Sequence, residues 1–320
     1  MDPARIIRLT LPTPYPVGDI NAWWIDGDEP TLIDTGVYWN RSLAAVRTQL
    51  AAHGRRIEDV RRILLTHGHH DHAGAAYHFS QLADAPIHLH EQSSLTVAPH
   101  PERLEELLRF MSRCGLSDEH LALARKMFNH GPQMAAVDAE PFALETLRGG
   151  ETIACGDVTL RALPTPGHSP DHLCFVDEAD GALFCGDMLL AHITPNPLLH
   201  LHPEDGYRRA PSLLQYIDSL NALQALHASV GYAGHGAVIA EVDALIERNL
   251  SFIDKRKQRY LAKLGDEPLS PFALARAFFG ELDPMNMFLA LSETVAYLDL
   301  LERDNAVAVV WEADTISIRR

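Results

Sequence analysis

The run Thr66-His67-Gly68-His69-His70-Asp71-His72 sets four metal-binding side chains, His67, His69, Asp71 and His72, within six positions. A fold that accepts this run must deliver it on a rigid turn. The apolar Ile63-Leu64-Leu65 before it reads as a buried strand, and the small residues Ala73, Gly74, Ala75 and Ala76 after it begin a helix. The loop is then fixed at both ends. His67 and His69 lie two apart, so an extended backbone sends both imidazoles to one side, where a single cation can take both. Asp71 and His72 fall past the bend and point to a neighbouring position, which suggests a second cation.

Ligand-type residues recur downstream beside glycine, each just after an apolar, strand-like run: Pro166-Gly167-His168-Ser169, Phe184-Cys185-Gly186-Asp187 and Gly234-His235-Gly236. HGHHDH followed in order by His168, Asp187 and His235 resembles the metallo-β-lactamase superfamily of dinuclear metal hydrolases. The resemblance implies an α+β protein built as a four-layer αββα sandwich with metals at one edge of the sheets. It assigns His67, His69 and His168 to one cation and Asp71, His72 and His235 to the other, with Asp187 bridging. It also implies a metal-bridging hydroxide as nucleophile, with Asp71 and Asp187 as the carboxylates of the catalytic centre. Imidazole and carboxylate ligands suit two divalent ions, zinc first, with iron or manganese as alternatives.

The 320 residues exceed one small domain. The expected division is a catalytic domain over 1–263, with a helical insert at 99–137, and a small winged-helix-like domain over 264–320. Strands are expected at Ile6 to Leu11, Ile20 to Ile25 and Thr31 to Ile33, separated by Pro, Gly and Asp clusters. The third ends in Asp34-Thr35-Gly36, where Asp34 is expected to hold loops or ligands by hydrogen bonds and not to bind metal itself. A helix over 40–53 carries Leu43, Val46 and Leu50 on one face. His88 and His90 alternate in a strand over Pro86 to His90, but lack flanking glycine and read as structural.

Two helices form the insert: Pro101 to Cys114, stopped by Gly115, and Asp118 to His130, stopped by Gly131-Pro132. Leu104, Leu107, Leu108, Phe110, Met111, Leu121, Met127 and Phe128 are more apolar surface than anchoring needs. The insert is therefore either a cap that takes an apolar part of the substrate, or a homodimer contact or simple packing. Strands at Val158 to Leu163, His172 to Val176 and Ala182 to Cys185, a helix over 210–228 and a strand from Val230 complete the scaffold. In the tail, helices at Pro271 to Gly280 and Asn286 to Arg303 precede a short hairpin, an order that resembles a winged helix.

Charge narrows the function. With 27 Lys plus Arg against 43 Asp plus Glu, the formal charge is -16. From Gly265 onward four basic residues face ten acidic ones, a net of -6. Phosphate backbones and anionic membranes need the opposite sign, so small-molecule substrates are expected, with nucleic acid and membrane disfavoured. The one basic cluster, Lys255, Arg256, Lys257, Arg259 and Lys263, reads as a solvated helix face. Four cysteines without paired spacing, no basic-then-apolar leader and no long apolar run point to reduced thiols and a cytoplasmic chain.

The leading expectation is a hydrolase of small esters, thioesters or lactones. The alternative is a phosphodiesterase or endoribonuclease of the β-lactamase-like group, suggested by the tail. A ligand-sensing or regulatory protein that kept the fold and metals while its activity became incidental comes last, because no ligand position has decayed. His192, Asn196 and Tyr232, near Asp187 and His235 in sequence, are candidates for orienting substrate or protonating a leaving group.

Overall fold

The structure is a computed structural model and describes residues 5–93, 101–130, 142–202, 208–312 and 314–320. The first sheet takes β1 (Ile6–Leu11), β2 (Ile20–Ile25) and β3 (Thr31–Ile33) as an antiparallel meander, with the boundaries expected from sequence. After α1 (Asn40–Ala52), β4 (Arg62–Leu64) joins parallel to β3. α2 (His70–Ala73) and α3 (Ala76–Ala83) lead to β5 (Ile87–His90), parallel to β4. β2 is buried along its whole length because both faces are covered. Ala22 and Trp24 pack towards α1 and α3, while Trp23 and Ile25 point at the second sheet.

The insert follows as α4 (Pro101–Arg113) and α5 (Asp118–His130); the expected stop at Gly131-Pro132 lies outside the described residues. The chain returns to the first sheet as β6 (Leu144–Leu147), then starts the second with β7 (Thr152–Cys155), β8 (Val158–Pro164), β9 (Leu173–Asp177) and β10 (Ala182–Gly186). A small hairpin, β11 (Leu201–His202) and β12 (Arg208–Arg209), precedes α6 (Ser212–Gln224), and β13 (Val230–Ala233) closes the sheet parallel to β10. Strands β6 and β7 were not expected. Three of the four residues of β6 are exposed and β7 is short, so neither carries an apolar run.

Trp23, Ile33 and Leu64 of one sheet meet Leu160, Phe175 and Phe184 of the other, and helices cover both outer faces. This is the αββα sandwich. The ends of the two sheets are stitched together at one edge. Leu173 donates its N–H to Thr66 O at 2.7 Å, Asn21 donates to Gly234 O at 2.6 Å, and Ile20 bridges His235. Among the described residues no helix is long and apolar enough to cross a membrane.

α7 (Val242–Leu261), α8 (Pro271–Phe279), α9 (Pro284–Arg303), β14 (Ala308–Trp311) and β15 (Ile316–Arg319) finish the chain, in the helix-helix-hairpin order expected. Their core is not separate. Met287, Leu291, Val295 and Leu298 of α9 belong to the same cluster as Leu213 and Leu220 of α6 and Cys174 and Val176 of β9. The insert joins it too: Phe272 donates its N–H to Cys114 O at 2.9 Å, and Phe128 meets Phe288 edge-on at 5.2 Å. Apolar side chains of the insert are thus packed against the tail.

A shared core has a measurable consequence. Leu291 is fully buried, so Leu291→Ala is expected to cost about 2–5 kcal/mol. Urea unfolding followed by tryptophan fluorescence and by far-UV circular dichroism will shift together in one transition; a second transition restricted to the tail would show that residues 264–320 fold apart.

Candidate metal centre

β4 ends one turn before the histidines, and its exit is held by a single carboxylate. Asp34, just past β3, accepts the Thr66 N–H at 2.8 Å and the Thr66 hydroxyl at 2.8 Å. On the other side, Asp171 accepts the Gly68 N–H at 2.8 Å, with Ser93 and Ser169 hydroxyls completing its shell. The loop therefore stays extended through His69. The helix begins earlier than expected, at His70 and not near Ala73, so Asp71 and His72 sit in its first turn. That turn is the bend which aims them away from His67 and His69.

The remaining ligands arrive at strand ends of the second sheet. His168 follows β8, Asp187 follows β10 and His235 follows β13. Two glycines make the convergence sterically feasible. A Cβ on Gly234 would lie 2.5 Å from Asp187 Oδ1 and 2.6 Å from His72 Cε1; Gly186, at φ +46°, would drive one into Thr66 and His172.

All seven expected ligands come together. His67 Nε2 lies 2.9 Å from His69 Nδ1, which lies 3.1 Å from His168 Nε2. Asp71, His72 and His235 make a second group, with His235 Nε2 3.5 Å from Asp71 Oδ2. Asp187 stands between them: its Oδ1 is 3.3 Å from His72 Nε2, and its Oδ2 is 3.6 Å from His168 Nε2 and 3.7 Å from His235 Nε2. His72 Nε2, His235 Nε2 and Asp187 Oδ1 are buried with no hydrogen-bond partner. Buried polar atoms are rarely left this way unless something else binds them.

The ring protons are assigned by the opposite nitrogens. His72 Nδ1 faces Asp34 Oδ2 at 2.8 Å, His67 Nδ1 faces Thr66 Oγ1 at 3.0 Å, His235 Nδ1 faces Asp19 O at 2.8 Å and His168 Nδ1 faces Asn196 O at 3.3 Å. Each partner accepts a proton on Nδ1, so that in the neutral ring the Nε2 lone pair is aimed inward. Asp34 thus plays the hydrogen-bonding role expected of it.

Electrostatics favour ligand-ready forms. Burial, together with neighbouring imidazoles, pushes His67 well below the usual histidine range, and burial takes His69 and His168 down to about 4. Burial opposes ionisation of Asp71, yet His72 and His235 hold it at about 2; His72, with other imidazoles, likewise holds Asp187 well below its usual range. His72 moves the other way. Burial disfavours its charge, but Asp187, Asp34 and Asp71 raise it well above the usual value. A divalent cation among the same carboxylates would answer the same excess of negative charge. The donor set of imidazoles and carboxylates fits such ions.

The substrate candidates fare unevenly. His192 is exposed and its ring lies against Gly236, beside His235. Asn196 is a correction: its side chain donates to Leu289 O at 3.2 Å and its own carbonyl faces His168, so it positions a ligand. Tyr232 is another. Its ring is buried between the sheets, stacked on Phe184 and edge-on to Trp23, each at 4.9 Å. Sequence reading missed Asp171, His172 and His200. His172 Nε2 accepts the Asp187 N–H at 3.2 Å, and His200 stacks on His69 at 6.0 Å. The clue for the first two was their place beside His168.

A family model described as the Metallo-beta-lactamase superfamily matches residues 15–235. The chain is 28% identical to the "Probable metallo-hydrolase YqjP" of Bacillus subtilis (strain 168), over 97% of this chain and 96% of that protein. It is 29% identical, over 74% of its length, to the Atrochrysone carboxyl ACP thioesterase of Aspergillus fumigatus, of which the match spans 57%. Among solved structures, a metallo-beta-lactamase family protein from Thermus thermophilus superposes with a TM-score of 0.76 at 30% identity, covering 99% of both chains.

Two outcomes are expected. Asp34→Ala should weaken zinc binding about 10–100-fold in a chelator competition, while His88→Gln, in β5 beside Glu145, leaves it unchanged. The second concerns acid. His69 and His168 at about 4 and His172 at about 3, all lowered by burial, lie below the roughly 6.5 of an unfolded chain. The unfolded chain takes protons first, so stability of the chelator-treated protein should fall as pH drops from about 6.5 to about 4, by up to about 1.4 kcal/mol per pH unit for each imidazole. His72, raised, contributes nothing to that slope, being charged in both states below about 6.5. Denaturation midpoints measured across this window check the sign.

Proposed function

The chain belongs to the metallo-β-lactamase superfamily, and from that premise we propose that it hydrolyses small esters, thioesters or lactones with a pair of divalent cations, zinc first. It is a metal-dependent hydrolase of that superfamily; the substrate class and the two-cation mechanism are the proposal. One observation carries the reading: His72 Nε2, His235 Nε2 and Asp187 Oδ1 are buried, lack partners and converge beside the His67, His69 and His168 nitrogens.

His67, His69 and His168 would hold one ion and Asp71, His72 and His235 the other, with Asp187 reaching both. Such a pair, when bound, supplies Lewis acidity and brings the pKa of water down to about 7. The chain's own groups do the rest. Asp34, Thr66 and Asp19 keep three imidazoles in the tautomer that presents Nε2. Asp71 and Asp187, held ionised by the surrounding imidazoles, give the centre negative charge at any ordinary pH. His192, exposed beside Gly236, would meet substrate on the His235 side.

The name of the Aspergillus relative supports thioesters among the acyl substrates. Nucleic acid fits less well. In the basic cluster of α7, Arg256 is forked onto Glu293 and Lys257 is bound to Asp304 at 3.0 Å, so two of its charges are already engaged. Four free, buried cysteines support a reducing, cytoplasmic setting.

The zinc-loaded protein is expected to cleave acyl thioesters of N-acetylcysteamine, to lose that activity on chelation and regain it on adding zinc. Asp187→Asn should lower kcat/KM by at least about a hundredfold. Uniform inactivity towards thioesters, esters and lactones, with cleavage of single-stranded RNA at ordinary salt, would favour the phosphodiesterase reading.

A further inference from the structure

The loop that follows Asp187 has two sides. Through Asn196 O it braces His168, and on its other side it closes a cavity of about 460 Å³ against α6, α7 and α9. The volume is within the range that holds small organic ligands. None of the seven metal-site residues lines it.

Its two ends differ in chemistry. The floor is made by buried Leu190, Leu213, Ile253 and Tyr297, together with Tyr216 and Asn249. The polar atoms of that floor bind one another. Thr194 Oγ1 donates to Asn249 Oδ1 at 3.3 Å, Asn249 Nδ2 donates to the Tyr216 hydroxyl at 3.3 Å, and that hydroxyl donates to Met188 O at 2.9 Å. A guest reaching the floor finds these groups already engaged with each other, so its inner end is apolar.

The rim is different. Ile193 and Phe252 are 44% and 40% exposed there, and Arg248, also exposed, lines the cavity with them. Arg256, the other cation of the cavity, is held by Glu293 and lies over Phe252, Phe278 and Phe279. Arg248 makes no ion pair among the described residues; one of its nitrogens donates to Ala191 O at 3.1 Å, which leaves donors for a further acceptor. The one carboxylate among the lining residues, Glu293, is already bound to Arg256 and Tyr260, so on a chain of formal charge -16 an arginine without an ion pair at the mouth of an apolar cavity selects for an anion.

We propose that this cavity binds an amphipathic carboxylate of the fatty-acid kind, its chain on the Leu190 and Tyr297 floor and its head group on Arg248. The site shares His192 with the substrate side of the metal centre but none of the seven metal-site residues, and it does not rest on the reaction catalysed there.

Calorimetric titration of the full, zinc-loaded chain with decanoate, and with decanol as a neutral twin, tests it. Decanoate should bind once per chain and decanol at least about tenfold more weakly. Arg248→Ala should weaken decanoate by a similar factor, and Ala191→Trp, which fills the rim from an exposed position, should abolish binding. Both substitutions lie at exposed positions, and circular dichroism verifies their folds. Absence of decanoate binding, equal binding of decanol, or binding undiminished in either variant overturns the proposal. The last result includes capture of the carboxylate by the metals, which neither substitution touches.

Discussion

One buried carboxylate, that of Asp34, governs the ligand-bearing edge. The residue sits at φ +60°, in the left-handed region, a conformation that costs a non-glycine residue about 1–2 kcal/mol. Its oxygens take the Thr66 N–H, the Thr66 hydroxyl and His72 Nδ1. Hydrogen bonds to a charged group contribute about 1.5–3 kcal/mol each, so together they outweigh the strain. The Thr66 hydroxyl, having donated to Asp34, is free to accept from His67 Nδ1. One side chain at the end of β3 thereby fixes the ring orientations of both His67 and His72.

The centre belongs to neither sheet alone. Its first four ligands leave β4, and the other three leave β8, β10 and β13. The seam between Thr66 and Leu173, and that between Asn21 and Gly234, set the distance between the halves. Behind the second sheet, α9 and the insert share one apolar cluster with α6 and β9. Packing far from the ligands therefore keeps the second sheet in place, and ligand geometry is a property of the whole fold.

The parts that sequence disclosed were those in which one physical signal dominates. β1, β2 and β3 are apolar runs cut by Pro, Gly and Asp, and the ligands sit beside glycines at strand ends. Signals of low contrast were lost: β6 has an exposed face, and β7 is four residues long. Chain proximity misled at Tyr232, since a residue on the strand that leads to His235 can face the opposite sheet and pack on Phe184. Asn196 acts through its backbone carbonyl, which any residue type supplies, so no letter in the sequence marks that role. Asp171 and His172 were legible in principle. A carboxylate and an imidazole next to His168 bind the backbone N–H groups of Gly68 and Asp187, which turns a loop motif into a rigid one.

The balance of charge at the centre explains why a cation belongs there. Asp34, Asp71 and Asp187 crowd His72, and the groups acting most strongly on Asp71 and Asp187 are imidazoles, with Asp187 also acting on Asp71 and no Lys or Arg among them. The better-buried guanidinium groups are committed elsewhere, Arg209 to Asp299 and Arg256 to Glu293. Positive charge must then come from protonated imidazole or from bound metal. Protonated imidazole has no lone pair left to ligate, so the two compensations exclude each other at His72. A cation held by His72 would have to displace that proton, which would tie metal affinity to pH and metal binding to the stability of the fold. Such coupling follows from placing ionised carboxylates in a dry edge without a fixed cation, where an unpaired charge costs far more than it does at the surface.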